Sequence, residues 1–339
     1  MSMNILRLSG FRFVLLSGTI AFLVPSSAVM AQTYGELAPK FEETDELITL
    51  SHSGQSVSED TDFSSATLRN VYLSHMEISA RLLAKLAECK NISNLQFGES
   101  VGPGETKVEV GAYTHIGKLK NLERLELVRY EDGGMAGRSD YKFLSKLTKL
   151  KKLTVFDDLT SGDLQGLLGN RNLEFVYVDG LENPSPEQLE SLGAMQGIEE
   201  LNLGFYSPLK GLSPLIDKLY ARRQIKSLTL AAKNALEVRD IEKICSMTTL
   251  KSLELAGVRS RDLPLFLKLG KIEVLRIRLV SGDSHLDLDF AESFPNLRVL
   301  EIISDKGKKT LINKNKINGS GKLNETAPRK DKNKVPGQE

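Results

Sequence analysis

The chain has 339 residues, 40% of them hydrophobic but only 6% aromatic, and it contains no tryptophan. That length holds one large domain or two ordinary ones. The formal net charge of +1 excludes a whole-chain polyelectrolyte binder, and nothing in the composition points to nucleic acid.

The N-terminal stretch has the layout of a targeting segment. Arg7 and Arg12 give a positive start, Phe13 to Val24 form an apolar run, and Pro25, Ser26 and Ser27 break it. Val29-Met30-Ala31 then offers a cleavage point after Ala31. An apolar run of about a dozen residues is too short for a bilayer, which needs about 20. Residues 1–31 are therefore expected to be a cleaved signal peptide. The mature chain would be secreted, periplasmic or at the cell surface, with no integral membrane span. Residues 32–66 follow as an acidic segment, with Glu36, Glu42, Glu43, Asp45, Glu46, Glu59, Asp60 and Asp62 facing only Lys40. Within it, Leu47-Ile48-Thr49-Leu50 is a candidate capping strand.

From Leu68 onward one six-residue pattern recurs: apolar, two variable, apolar, one variable, apolar. It is found at Leu68-Val71-Leu73, Ile92-Leu95-Phe97, Leu122-Leu125-Leu127, Leu150-Leu153-Val155 and Leu173-Val176-Val178. It continues at Ile198-Leu201-Leu203, Ile225-Leu228-Leu230, Leu250-Leu253-Leu255, Ile272-Leu275-Ile277 and Leu297-Leu300-Ile302. The period is about 22 to 30 residues, close to that of leucine-rich repeats. Within a hexad, as in Arg124-Leu125-Glu126-Leu127, apolar and polar positions alternate as in a half-buried strand. Between hexads the spacing is helical: Leu189, Leu192 and Met195, then Ile241, Ile244 and Met247, then Leu263, Phe266 and Leu269. Ser185-Pro186 with Gln188 predicts an N-cap, a first-turn proline and a capping-box partner, and Ser213-Pro214 predicts the same start again.

On these hexads, residues 67–304 resemble the leucine-rich-repeat family. The resemblance implies an α/β solenoid of about ten repeats, with a concave parallel sheet and helices on the convex side. Many members carry asparagine three residues after the last apolar position. Here that position holds Met76, Ser100, Tyr130, Asp158, Leu181, Tyr206, Lys233, Val258, Val280 and Asp305. The chain thus resembles an irregular, helix-bearing subtype without the asparagine ladder.

Two insertions interrupt the period, Gly98 to Tyr113 and Glu131 to Arg138, and both are expected to project from one rim. The tail, residues 305–339, is rich in lysine, asparagine and glycine and is expected to be disordered and basic. Either Leu311-Ile312 folds back over the last repeat or a partner covers that end. The tail also provides a route to an anionic envelope polymer, which makes a structural cell-envelope protein the second reading.

Catalytic signatures are missing. His52, His75, His115 and His285 lie in different turns, without a neighbouring cysteine or carboxylate at ligand or triad spacing. Asp157-Asp158 and Asp287-x-Asp289 lack the liganding run of a calcium loop. Cys89 and Cys245 fall about six repeats apart, roughly 29 Å at one strand spacing per repeat, too far for a disulfide. No cofactor or metal is implied and no enzymatic activity is expected.

The strand positions between the apolar ones are free of core duty. Counting them places Phe156, Phe175 and Tyr177 side by side on the fourth and fifth strands, next to Arg124 and Lys152. A local shift of strand phase would instead put Phe175 in the core. Tyr72 lies on the first strand and Arg276 and Arg278 on the ninth. Clustered aromatic and arginine side chains are what binding hot spots look like. The expected activity is recognition of a protein partner on this face.

Overall fold

A computed structural model describes residues 5–8, 11–16, 19–22, 47–51, 68–74, 77–98, 106–109, 111–128, 141–281, 289–304 and 309–313. The chain divides into two compact units. The first is Met1–Leu181 with Ala194–Ile198, and the second is Glu182–Gly193 with Glu199–Glu339.

In the first unit, β1 (Ile5–Leu8), β2 (Phe11–Leu16) and β3 (Thr19–Phe22) make a small antiparallel sheet within the segment read as a signal. The main sheet runs in order through β4 (Leu47–Ser51), β5 (Asn70–Ser74), β7 (Asn94–Phe97), β9 (Arg124–Leu127), β10 (Lys152–Val155) and β11 (Phe175–Leu181), all parallel. Each of the five hexads here supplies one strand. The capping strand expected at Leu47 to Leu50 is β4, in register with β5. Short β6 (Glu77–Ile78) and β8 (Lys107–Val108) pair beside this sheet. The linkers are α1 (Ala80–Leu86), 3-10 helices at Ala112–Lys118 and Tyr141–Lys146, and α2 (Ser161–Leu167).

In the second unit, β12 (Glu200–Phe205), β13 (Ser227–Ala231), β14 (Ser252–Arg259), β15 (Val274–Ser281) and β16 (Val299–Ile303) are parallel neighbours. Their linkers are α3 (Pro186–Ala194), α4 (Ser213–Arg222), α5 (Val238–Cys245), a 3-10 helix at Ser260–Lys268 and α6 (Asp289–Glu292). The second of these apolar spacings, around Ile241, forms an α-helix, whereas the third, around Leu263, forms the 3-10 helix. Strict i, i+3 spacing eclipses on a 3-10 helix and puts Leu263 and Phe266 on one buried side.

Register is set by the hexads themselves. The residue after the first apolar position accepts two backbone N–H groups from the next strand: Glu123 O takes Lys151 N at 2.8 Å and Lys152 N at 3.0 Å, and Glu199 O takes Lys226 N and Ser227 N likewise. The same position carries charged side chains of both signs in several repeats, so that Lys151 Nζ meets Glu123 at 2.8 Å and Lys226 Nζ meets Glu199 at 2.6 Å. Such exposed pairs stabilise by at most about 1 kcal/mol each. A slip of one residue would expose every apolar position, and the inward ones, such as Leu125, Leu153, Leu228 and Leu253, are wholly buried.

An asparagine stitch is present, not three residues after the last apolar position but just ahead of the hexad. Asparagine just ahead of the hexad donates from Nδ2 to a backbone carbonyl of the preceding repeat: Asn121 to Lys90 O at 2.8 Å, Asn172 to Thr148 O at 2.9 Å and Asn296 to Gly270 O at 2.8 Å.

The capping box at Ser185 forms as expected, with Gln188 N on Ser185 Oγ at 3.2 Å and Ser185 N on Gln188 Oε1 at 2.7 Å. The start at Ser213 does not repeat it. Ser213 Oγ donates instead to Asp240 Oδ1 at 2.9 Å, and Asp240 Oδ2 accepts Leu212 N at 3.0 Å. A carboxylate from the next repeat therefore caps α4, because the local side chain has no bond at its cap position.

The insertions differ from the expectation of projecting loops in the part that is described. Glu109 Oε2 accepts Ala80 N at 2.7 Å, so the end of the first insertion helps Ser79 cap α1. Tyr113 is fully buried, edge-on to Phe97 at 5.1 Å, with its hydroxyl donating to Val128 O at 3.0 Å. Residues 99–105 and the whole second insertion lie outside the described residues, as do His52, His75 and His285.

At the C-terminal end, the alternative in which Leu311-Ile312 folds back over the last repeat is the one found. Residues 309–313 are not disordered but form β17 (Lys309–Asn313), antiparallel to β16, with Leu300 opposite Ile312. Ile312 is buried and Leu311 exposed, so the chain itself folds back on the last repeat. The lysine-rich remainder lies outside the described residues. Both cysteines are free and buried. Burial pushes the Cys245 thiol up to about 12, which keeps it protonated and unreactive.

Candidate functional site

The strand face opposite the buried core carries the residues singled out in the sequence. In the first unit, register places Arg124, Lys152 and Phe175 in one cross-strand row and Glu126, Thr154 and Tyr177 in the next. Arg124 and Tyr177 are half-buried and Lys152 is exposed. Phe156 follows directly after β10, and its ring lies 5.5 Å from that of Tyr177, tilted by 56°. The separation is that of an interacting aromatic pair.

Phe175 differs from the expected exposed anchor. Its register opposite Lys152 excludes a phase shift, yet only 7% of it is exposed. The residue sits one strand from Lys152 and two residues from Tyr177 and offers little surface to a partner. The aromatic contact area therefore rests on Phe156 and Tyr177.

Tyr72 is half-buried opposite Gln96 on the same sheet. Between it and the aromatic pair lie Asn94 and Gln96 on β7, with Asn94 Nδ2 donating to Asn70 Oδ1, then Arg124 and Glu126 on β9. Burial raises the Glu126 carboxyl from 4.5 to about 7, and the nearby Arg124 charge opposes the rise. Arg124 is pulled below its ordinary value by burial, against the Glu126 charge. Around neutral pH this centre therefore carries two cations beside a carboxyl that is only partly ionised.

Arg276 and Arg278 belong to the second unit and make a separate cluster. Arg276 lies between two carboxylates, with Nε 3.4 Å from Glu301 Oε2 and an Nη 3.9 Å from Glu254 Oε2. It is engaged in its own ion pairs, whereas Arg278 is exposed. Burial raises the Glu254 carboxyl, opposed by Arg276 and Arg278 and assisted by Glu301. Glu126, Glu254 and Glu301 are visible in the sequence as outward strand positions. What sequence cannot supply is their partial enclosure, which depends on neighbours contributed by adjacent repeats.

Among the described residues, no group of three histidine, cysteine or acidic side chains is placed to hold a metal ion. The Asp157-Asp158 pair is tied to the protein, with Tyr141 Oη donating to Asp157 Oδ2 at 2.9 Å and Asp158 N donating to Asp157 Oδ1 at 2.9 Å. No helix among the described residues is long and apolar enough to cross a membrane.

No family model matches the chain, and no curated protein does. Solved structures do. An internalin, InlF, from Listeria monocytogenes is 16% identical over 74% of this chain and 71% of its own, with a TM-score of 0.50. Internalin C2 from the same organism is 15% identical over 66% of this chain and 76% of its own, with a TM-score of 0.37. The plant peptide hormone receptor RGFR1, in complex with RGF2, is 12% identical over 69% of this chain and 35% of its own, with a TM-score of 0.40. At these identities the likeness to InlF concerns the backbone, and it agrees with the hexad strands, their parallel order and their helical linkers. The chain has the leucine-rich-repeat fold.

Proposed function

We propose that this chain is an exported protein-binding module that grips a polypeptide partner on the open face of its repeat sheet. The centre of the grip is the Phe156–Tyr177 pair, flanked by Arg124 and Lys152. One observation carries the reading: two aromatic rings lie 5.5 Å apart, tilted against each other, on the side of the strands that the core does not need. Rings held against each other lose little conformational freedom on binding, and an aromatic centre with adjacent cations has the composition of a hot spot. Export follows from the N-terminal segment read as a signal, with cleavage near Ala31.

The test is affinity capture from the extracellular or envelope fraction with the mature chain and with a Phe156→Ala/Tyr177→Ala double variant. Both side chains are half-buried, so the variant should keep its circular dichroism spectrum and lose the captured protein. Loss of about 2 kcal/mol or more per hot-spot residue is typical, which weakens binding by well over tenfold. A variant that folds and captures the same protein equally well would remove this face from the function.

A further inference from the structure

The second unit holds a different feature on its open face. Register sets Asn202 of β12, Thr229 of β13 and Glu254 of β14 in one row. The middle strand presents only Ser227, Thr229 and Ala231, all shorter than the Asn202 and Glu254 side chains on either side, and the strip above them is termed the trough.

The trough is short of hydrogen-bond donors. Asn202 is only 6% exposed, yet its Oδ1 accepts no hydrogen bond among the described residues. Glu254 Oε2 is likewise buried without one. The nearest cation to it, Arg276, lies 3.9 Å away and is closer to Glu301, at 3.4 Å. An enclosed acceptor without a donor is costly, and an enclosed carboxylate more so. One strand, β13, separates these acceptors, and no basic side chain occupies the open-face positions of β12 or β13. Glu200 adds a further negative charge at the start of β12.

The complementary group is positively charged, donates hydrogen bonds in more than one direction and is slim enough to lie over Thr229. A guanidinium meets all three conditions. Its planar fork presents five N–H groups, and it sheds water more readily than an ammonium. The Asn202 amide turns about a soft terminal torsion, so Oδ1 can swing toward a donor seated there.

We propose that the trough over Thr229 receives an arginine side chain of the polypeptide partner, with its N–H groups donated to Asn202 Oδ1 and Glu254 Oε2. This rests on the reading of the chain as a protein-binding module and adds the chemistry of one partner residue to it.

The experiment uses the full chain and three capped tripeptides, with arginine, lysine or glutamate between two glycines, titrated by NMR at physiological ionic strength. The arginine peptide should bind most tightly, the lysine peptide several-fold more weakly, and the glutamate peptide not at all. Glu254→Gln, which keeps the shape, and Thr229→Phe, which fills the trough, should each weaken the arginine peptide by about tenfold. The proposal is overturned by a glutamate peptide that binds as well as arginine, by absence of arginine-peptide binding, or by variants that bind the arginine peptide as tightly as the parent chain. The peptide assay does not involve Phe156 or Tyr177. Its failure therefore removes the trough alone, whereas failure of partner capture by the aromatic face leaves peptide binding intact.

Discussion

Glu126 should make the fold less stable as pH rises through neutrality. Its carboxyl lies half-buried on β9, between a β7 that offers Asn94 and Gln96 and a β10 that offers Lys152 and Thr154. Burial raises it from 4.5 to about 7, and Arg124 on its own strand only partly opposes this. The sign follows from proton uptake. Between pH 4.5 and 7 the folded chain holds this proton and the unfolded chain has released it, so stability declines across that window and the loss is complete above it. At ~1.4 kcal/mol per tenfold change in proton affinity, the ceiling is about 3 kcal/mol. Solvent contact of a half-buried group brings the expected value to about 1–2 kcal/mol.

Glu126→Gln keeps the shape and removes the titration. Urea denaturation followed by circular dichroism at pH 5, 6, 7 and 8 should show the variant matching the parent at pH 5 and exceeding it by about 1–2 kcal/mol at pH 8. Other carboxyls, including the similarly raised Glu254, cancel in the difference. A difference that stays flat with pH would refute the enclosure of Glu126. A parent that gains on the variant as pH rises would show that the Arg124 ion pair outweighs burial.

Two further outcomes test what holds the repeats together. Asn170 is 9% exposed and donates from Nδ2 to Leu147 O and Leu150 O, both at 3.1 Å, while its Oδ1 accepts Asn172 N at 3.0 Å. Asn170→Ala removes the donor to Leu150 O and the acceptor of Asn172 N, while Leu147 O keeps Leu150 N, and should cost about 1–3 kcal/mol in urea denaturation; a cost below about 0.5 kcal/mol would mean the stitch is idle. Gly257 has φ of +96°, and a Cβ there would lie 2.4 Å from Asn234 O, whereas nothing lies within 4 Å of a Cβ on Gly270. Gly257→Ala should therefore lower the melting temperature by several degrees, corresponding to about 2 kcal/mol or more, with Gly270→Ala nearly neutral. Equal melting temperatures would contradict the close approach of the two repeats.

The ten hexads were legible as strands because two local signals coincide in them. Alternation with period two fixes which side of each strand is buried, and repetition fixes the neighbour, since identical apolar layers stack only on one another. Leu47 to Leu50 was legible as a cap for the same reason, being the same pattern one repeat earlier. The signals failed where a long-range partner decides. Ser213 carries the local marks of a cap, but Asp240, 27 residues later, is bonded to both Leu212 N and Ser213 Oγ. Asparagine ahead of the hexad looks like any loop residue until the preceding repeat brings its carbonyl within reach.

The open face divides along the same line. Sequence by itself determined which residues point away from the core, because that depends only on strand phase: Arg124, Lys152, Phe156 and Tyr177 are all where alternation puts them. Tertiary structure alone decided how far each is exposed and how it is charged. Phe175 obeys the phase yet is covered, and Arg276 is drawn between Glu254 and Glu301. The neighbours that cover a side chain or shift its ionisation come from strands 22 to 30 residues away along the chain, and no local pattern records what those strands present across the row.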